Sequence, residues 1–189
     1  MYRVHLRKLS LRDLFLFYQY RRDTEVSRWT AEPIKKTSFG IITKVLHRAY
    51  QIVQFILTYS LNLKKPITNR YAIVRNDDNM FLGAVGITIQ KDNFASADIG
   101  YWLGRHFWGK GLMTEALALA IELAFNNLHI TDLTAWTYDV NIGSNKVLEI
   151  NGFKMVNRLP NHYLIDGTFH DRLNYNLNKS EWHPMQRQN

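Results

Sequence analysis

The feature that most constrains the fold of this chain is a glycine-containing loop between a predicted strand and a predicted helix. Residues 98–118 read DIGYWLGRHFWGKGLMTEALA, with strand-like alternation before the loop and helical spacing after it. Gly109 and Gly111 let the backbone approach a ligand closely, and the free N–H groups of the loop and helix start present the positive end of a dipole. Lys110 adds a mobile cation. The sequence therefore predicts a site for phosphate or another anion in this loop.

Periodic segments on both sides of the loop predict one α/β domain over residues 1–189. A chain of 189 residues has the size of a single domain, and no repeat or linker marks a second one. Three strands with short turns between them lead into the loop as an antiparallel meander. The predicted strands are 2–7, 71–75, 80–90, 96–103, 131–140, 153–164 and 168–177, and the predicted helices are 11–23, 25–29, 38–61, 113–127 and 143–151.

The composition excludes several kinds of site. The chain has no cysteine, which excludes disulfides, thiolate metal ligands and a cysteine nucleophile. Its start lacks the continuous apolar core of a signal peptide, and polar residues such as His47 and Arg48 interrupt the most apolar stretch, 45–63. We therefore expect a cytoplasmic protein that does not span a membrane.

The formal net charge of +8 favours an anionic partner, such as nucleic acid, a ribosomal surface or a phosphorylated cofactor. Lys and Arg are spread along the chain, apart from pairs such as Lys35-Lys36 and Lys64-Lys65. Such a distribution is typical of a solvated basic surface and differs from the basic tract of a nucleic-acid arm. We therefore expect no direct DNA binding.

Two other interpretations of the loop stay open at this level. Residues Gly104 to Gly111 are one residue short of the P-loop pattern of nucleotide hydrolases, because Gly111 stands where a Ser or Thr hydroxyl would hold Mg²⁺. A P-loop also normally follows the first strand of a parallel sheet, whereas this loop follows a meander. The other alternative is a glycine loop that only turns the chain.

Two motifs in order resemble the GNAT acetyltransferases, particularly the branch of ribosomal-protein N-terminal acetyltransferases. The family's pyrophosphate loop has the form Gln/Arg-x-x-Gly-x-Gly/Ala, and residues 108–113, WGKGLM, occupy it with Gly111 at the glycine. Trp108 and Met113 replace its first and last residues, as is familiar in that branch. Residues 141–144, NIGS, match the family's Asn-x-x-Ser/Ala, and 151–153, NGF, follow after a short helix.

The resemblance implies the GNAT fold, a mixed and mostly antiparallel sheet of six to seven strands with helices on both faces. Its central strands, here 96–103 and 131–140, are splayed, and the pantetheine arm of the cosubstrate acetyl-CoA lies in the gap. Backbone groups at one edge of the gap bind pantetheine, and N–H groups of the loop bind the pyrophosphate. The implied cofactor-binding residues are Tyr101, Trp102, Leu103, Trp108, Gly109, Lys110, Gly111, Leu112, Met113, Thr114 and Asn141.

The resemblance also implies direct transfer of an acetyl group to a primary amine without a metal. Many family members protonate the leaving thiolate with a tyrosine, but in this chain Leu148 occupies that position. In the ribosomal-protein branch a serine at the position of Ser144 has this role, so the resemblance assigns it here to Ser144. A helix N-cap is the alternative role for this serine. Asp98 is the candidate general base, and a structural, salt-bridged carboxylate is the alternative.

The amine is predicted to be the α-amino group of a protein N-terminus, such as that of a ribosomal protein. An α-amino group has a pKa of about 8 against about 10.4 for lysine, so far more of it is neutral at pH 7. A polyamine, aminoglycoside or amino acid remains an alternative acceptor, and a non-catalytic module that binds CoA or another anion is an alternative of a different class. We expect a monomer or a homodimer.

Overall fold

A computed structural model describes residues 2–30, 68–165 and 167–184. The strands form one sheet in the order β1-β2-β3-β4-β5-β7-β6, antiparallel throughout except for the parallel pair β4 and β5. The predicted helix 38–61 lies outside the described residues. The strands are β1 (Val4–Lys8), β2 (Thr68–Arg75), β3 (Phe81–Ile89), β4 (Ser96–Leu103), β5 (Asp132–Tyr138), β6 (Lys154–Ile165) and β7 (Thr168–Asn178), and the helices are α1 (Leu14–Arg21), α2 (Thr24–Arg28), α3 (Leu112–Asn126) and α4 (Ile142–Ile150).

Helices cover both faces of the sheet, as predicted. Successive strand residues point to opposite faces, so Ile73 belongs to the core beneath α3, whereas Ala72 belongs to the core beneath α1. Leu117 of α3 and Phe17 of α1 are almost completely buried in these two cores. The mixed, mostly antiparallel sheet with helices on both faces is therefore confirmed. No helix in the described part of the chain is long and apolar enough to cross a membrane.

A buried carboxylate fixes the entry into α1. Asp13 accepts a hydrogen bond from the Ser10 N–H at 2.9 Å and two from the Arg7 guanidinium, at 2.6 and 2.8 Å. Burial opposes ionisation, but these donors outweigh it and hold the pKa of Asp13 below its ordinary value. The carboxylate thus joins β1 to the helix that forms one wall of the cleft described below.

The sheet is splayed between its two parallel strands, and this prediction is also confirmed. β4 and β5 pair only at Ser96 with Asp132, Ala97 with Leu133, and Asp98 with Thr134. Beyond that third pair the strands have no mutual hydrogen bonds, although β4 continues for five more residues and β5 for four. A wedge-shaped gap therefore opens in the middle of the sheet, with Asp98 at its apex.

Candidate active site

A cleft of about 1100 Å³ runs through the gap from one face of the sheet to the other. Its walls on the α1 side include Phe17 and Trp29, and its other end reaches the glycine loop and the first turn of α4. A splay in a sheet leaves backbone N–H and C=O groups unpaired at its edges, where they are free to bind a ligand. The cleft therefore combines a polar backbone edge with the predicted anion site.

Alternation along β4 decides which of its backbone groups face the gap. The Gly104 N–H donates to Leu82 O of β3 at 2.9 Å, so Trp102, two residues earlier, also directs its backbone towards β3. The backbone groups of Tyr101 and Leu103 consequently face the gap. The Trp102 side chain packs against Phe17 with ring centroids 5.1 Å apart. Trp102 therefore forms part of the wall on the α1 face and does not contribute to the edge of the gap.

Trp108 ties the loop to the end of β4. Its indole Nε1–H donates to Leu103 O at 2.9 Å, and its backbone N–H donates to Arg105 O at 3.2 Å. The Leu103 carbonyl is thus already used inside the protein, and the Leu103 N–H remains for a ligand. A tryptophan at this position therefore holds the loop against the strand from which it departs.

The loop presents a row of unused backbone donors. Gly109 and Gly111 have φ of 71° and 72°, which is the left-handed region that favours glycine, and Gly111 is the N-cap of α3. Within the described residues, none of the N–H groups from Gly109 to Thr114 donates a hydrogen bond. The side chains of Leu112 and Met113 are buried in the core, which anchors the first turn. Consecutive free N–H groups at a helix start form a concave site for an anion.

Two hydroxyl groups meet where the gap reaches α4. Tyr101 Oη lies 3.0 Å from Ser144 Oγ, and it also donates to Ser144 O at 3.3 Å. Burial raises the pKa of Tyr101, and the hydrogen bond to Ser144 only partly opposes that shift. The phenol therefore stays protonated and serves as a hydrogen-bond donor at neutral pH.

The alternative role for Ser144, a helix N-cap, is wrong. Asn141 is the N-cap of α4, and its Oδ1 accepts a hydrogen bond from the Ser144 N–H at 3.2 Å. The Ser144 hydroxyl is consequently left for Tyr101 and the cleft. Leu148, at the family's usual tyrosine position, is buried in the core and has no group to donate. Sequence reasoning assigned only the backbone of Tyr101, because nothing local indicates that its side chain reaches α4.

The Asn-Gly-Phe motif ends α4 and supports the loop. Gly152 has φ of 85°, and the N–H of Phe153 donates to Leu148 O at 3.1 Å, which is a glycine-ended helix terminus of the Schellman type. The side chain of Asn151 donates to Thr114 O in the first turn of α3 at 3.3 Å. The motif therefore links the end of α4 to the start of the helix that carries the glycine loop.

Asp98 stands at the apex of the gap, on the face of β4 opposite Tyr101 as the alternation predicts. Its carboxylate accepts a hydrogen bond from the Thr134 hydroxyl of β5 and lines the cleft. Within the part of the chain that the structure describes, no ion pair involves Asp98, so the alternative of a salt-bridged carboxylate is wrong for that part. The carboxylate is exposed and accessible from the α1 side.

Sequence reasoning missed an aromatic cluster on the same face. Tyr138 packs against Trp29 with ring centroids 6.1 Å apart, against Trp136 at 5.6 Å and against Tyr163 at 5.0 Å. Trp136 also stacks on Tyr163 at 5.5 Å. The period-two spacing of Trp136 and Tyr138 was the available signal, but it does not identify Trp29, just after α2, or Tyr163 on β6 as their partners. The cluster forms an apolar wall beside the mouth of the cleft.

Comparisons with known proteins agree with this geometry. The family model described as "Acetyltransferase (GNAT) domain" matches residues 3–154. The uncharacterized N-acetyltransferase p20 of Bacillus licheniformis is 28% identical over 95% of each chain. The ribosomal protein uS5-alanine N-acetyltransferase of Escherichia coli is 29% identical over 57% of this chain and 56% of its own. A structure of Mycobacterium smegmatis RimJ in complex with CoA-disulfide superposes with a TM-score of 0.74 at 23% identity, covering 94% of this chain and 83% of that one.

Proposed function

This chain belongs to the GNAT family of acetyltransferases, and on that premise we propose that it acetylates the α-amino group of a protein N-terminus, such as that of a ribosomal protein. Acetyl-CoA is the proposed donor. The observation that carries the proposal is the row of N–H groups from Gly109 to Thr114, which donate no hydrogen bond within the described residues and lie at the end of the splayed gap. A diphosphate and an extended amide chain are the ligand groups that such a loop and such a gap would bind.

The proposed binding mode uses backbone groups more than side chains. The pyrophosphate accepts hydrogen bonds from the N–H groups of the loop and first helical turn, and Lys110 adds its positive charge. The pantetheine amides pair with the backbone of Tyr101 and with the Leu103 N–H, in place of the missing partners on β5. The acetyl thioester then lies deep in the gap, between Asp98 and Ser144, where both strands begin to diverge.

The proposed reaction is a direct transfer in a ternary complex. The neutral amine attacks the thioester carbonyl, the new C–N bond forms, and the resulting oxyanion is stabilised by backbone N–H groups at the gap. The tetrahedral intermediate then collapses, the C–S bond breaks, and the thiolate takes a proton from Ser144 Oγ, which takes a replacement proton from water, while the amine proton leaves through Asp98 to solvent. The Tyr101 hydroxyl lies 3.0 Å from the same oxygen, and by turning its proton from Ser144 O to Ser144 Oγ it would stabilise the serine as the serine proton leaves.

Asp98 is the proposed base that accepts the amine proton, directly or through a water molecule. We expect Asp98→Asn, which preserves the shape and the contact with Thr134, to lower kcat/KM for the amine by about 10²-fold, the usual range for a general base. Asp92→Asn, in the exposed turn before β4, is the control. Initial rates at saturating acetyl-CoA measure the effect, and equal activity of the two variants would remove Asp98 from the mechanism.

Two observations support an α-amine as acceptor. The Asp98 carboxylate accepts a hydrogen bond from the Thr134 hydroxyl, and a single weak base suits an amine with a pKa of about 8 better than one with a pKa of about 10.4. The similarity to an enzyme named for alanine acetylation of a ribosomal protein points the same way. A small-molecule amine, such as a polyamine or aminoglycoside, is the alternative acceptor within the same reaction class.

An acceptor panel tests the proposal. Purified protein with acetyl-CoA is offered ribosomal-protein N-terminal peptides, the same peptides with blocked α-amines but free lysines, spermidine and an aminoglycoside. We expect thiol release only with free α-amines, mass spectrometry that places the acetyl group there, and intersecting initial-rate lines. Turnover only with spermidine or the aminoglycoside would support the alternative acceptor. Parallel lines would contradict direct transfer, and CoA binding without thiol release would contradict acetylation.

A further inference from the structure

Arg3, just before β1, contacts the glycine loop although it is 107 residues away from it in the chain. Its guanidinium Nη2 donates to Lys110 O at 2.9 Å. Its Nε donates to Glu115 Oε1 at 2.6 Å, and its backbone N–H donates to Glu115 Oε2 at 2.7 Å. Arg3 therefore connects the loop to the first turn of α3 through three donors at once.

These contacts determine which way one peptide group of the loop points. The C=O and N–H of a trans peptide are antiparallel, so holding Lys110 O towards Arg3 directs the Gly111 N–H away from Arg3. Gly111 lines the cleft, where that N–H is placed to donate to an anion. The glycines at 109 and 111 leave the local backbone free to adopt other conformations. If the Lys110–Gly111 peptide rotated, Lys110 O would point towards the phosphate in place of the Gly111 N–H. The hydrogen bond from Arg3 to Lys110 O opposes this rotation.

Arg3 also neutralises a carboxylate near the anion site. Glu115 is mostly buried, with 16% of its side chain exposed, and it forms an ion pair with Arg3. Without Arg3, an unpaired negative charge would remain one turn from the place where a pyrophosphate binds. Lys110 differs in that no carboxylate pairs with its ammonium group within the described residues, so it can contact a phosphate directly. Arg3 is not among the residues that line the cleft, so it acts on the ligand through the loop and through the charge of Glu115.

We infer that Arg3 is a positioning residue for the pyrophosphate of acetyl-CoA: it orients the Lys110–Gly111 peptide and cancels the charge of Glu115. The inference rests on the proposed function, because it requires CoA to bind at this loop. It predicts a selective effect on the part of the ligand that carries phosphates. Pantetheine, which has the same arm without the diphosphate and the 3′-phosphorylated adenosine, supplies the comparison.

The test is isothermal titration of CoA and of pantetheine into wild type, Arg3→Met and Arg3→Lys. We expect Arg3→Met to raise the Kd of CoA by about tenfold or more, the effect of one charge-assisted hydrogen bond, and to leave the Kd of pantetheine within about twofold. KM for acetyl-CoA should rise in parallel while kcat stays nearly constant. Arg3→Lys keeps the positive charge but loses the planar guanidinium that donates to both Lys110 O and Glu115. Its Kd for CoA should therefore lie between those of the wild type and Arg3→Met.

Two further variants separate the contributions. Arg158→Met removes an arginine that pairs with Asp171 at the other end of the sheet, and it should leave both Kd values unchanged. Glu115→Gln added to Arg3→Met should recover part of the CoA affinity, because it removes the unpaired charge. Unchanged CoA affinity in a folded Arg3→Met variant, or an equal loss of affinity for CoA and pantetheine, would overturn the inference about Arg3 without affecting the proposed function. Failure of the wild type to bind CoA would overturn the proposed function with it.

Discussion

Gly111→Val should raise the Kd of CoA by about 100-fold or more while the protein remains folded. Gly111 has φ of 72°, and a Cβ there would lie 3.2 Å from Arg3 Nη2, so a valine forces the backbone out of the left-handed region or displaces Arg3. Either change turns N–H groups away from the pyrophosphate. Each charge-assisted hydrogen bond contributes about 1.5–3 kcal/mol, so the loss of two accounts for the expected change.

The matched control is Gly167→Val, because it carries the same backbone cost at a place unrelated to the loop. Gly167 has φ of 81° in the β6–β7 hairpin, and a Cβ there would meet no atom of the described residues within 4 Å. Each variant should lose about 1–3 kcal/mol of unfolding free energy from strain, which a domain of ordinary stability tolerates. Titration with CoA and thermal melting measure both quantities. Equal CoA affinity in the two folded variants would remove the loop from the proposed site.

Ser144→Ala should lower kcat by about 10²-fold with little change in the Kd of CoA, in line with the usual contribution of a general acid. The physical reason is that the thiolate then leaves without a proton donor beside it. The fold loses one hydrogen bond to Tyr101, which costs about 0.5–1.5 kcal/mol. Measuring kcat and the melting temperature on one purified sample therefore separates the catalytic effect from the structural one.

Two companion variants sharpen this prediction. Tyr101→Phe removes the hydroxyl that contacts Ser144, so it should lower kcat less than Ser144→Ala, and the double variant should be no slower than Ser144→Ala alone. Ser180→Ala removes an exposed hydroxyl that donates to Asn178, outside the cleft, and should leave kcat unchanged. Full activity of Ser144→Ala with reduced stability would show that the serine is structural.

Local chemistry was sufficient to predict most of the secondary structure and the loop. The alternation in 71–75, 80–90 and 96–103 predicted the meander, because period two follows from strand geometry alone. The glycines predicted a loop whose backbone can approach a ligand closely, and the structure shows that Gly109 and Gly111 both have positive φ. The P-loop interpretation is wrong, because the loop follows an antiparallel strand pair and the chain is an acetyltransferase by family.

The sequence by itself determined which residues alternate, approximately where the described helices lie, and which loop exposes backbone donors, because these properties depend on neighbours a few residues apart. Only the tertiary structure decided which distant groups meet. Tyr101 reaches Ser144 across 43 residues, and Arg3 reaches Glu115 across 112. Such contacts depend on sheet order and on the angle of the splay, which no local pattern encodes. For that reason the loop with free N–H groups was predictable from its glycines, whereas the contacts of Arg3 with that loop and of Tyr101 with Ser144 were not.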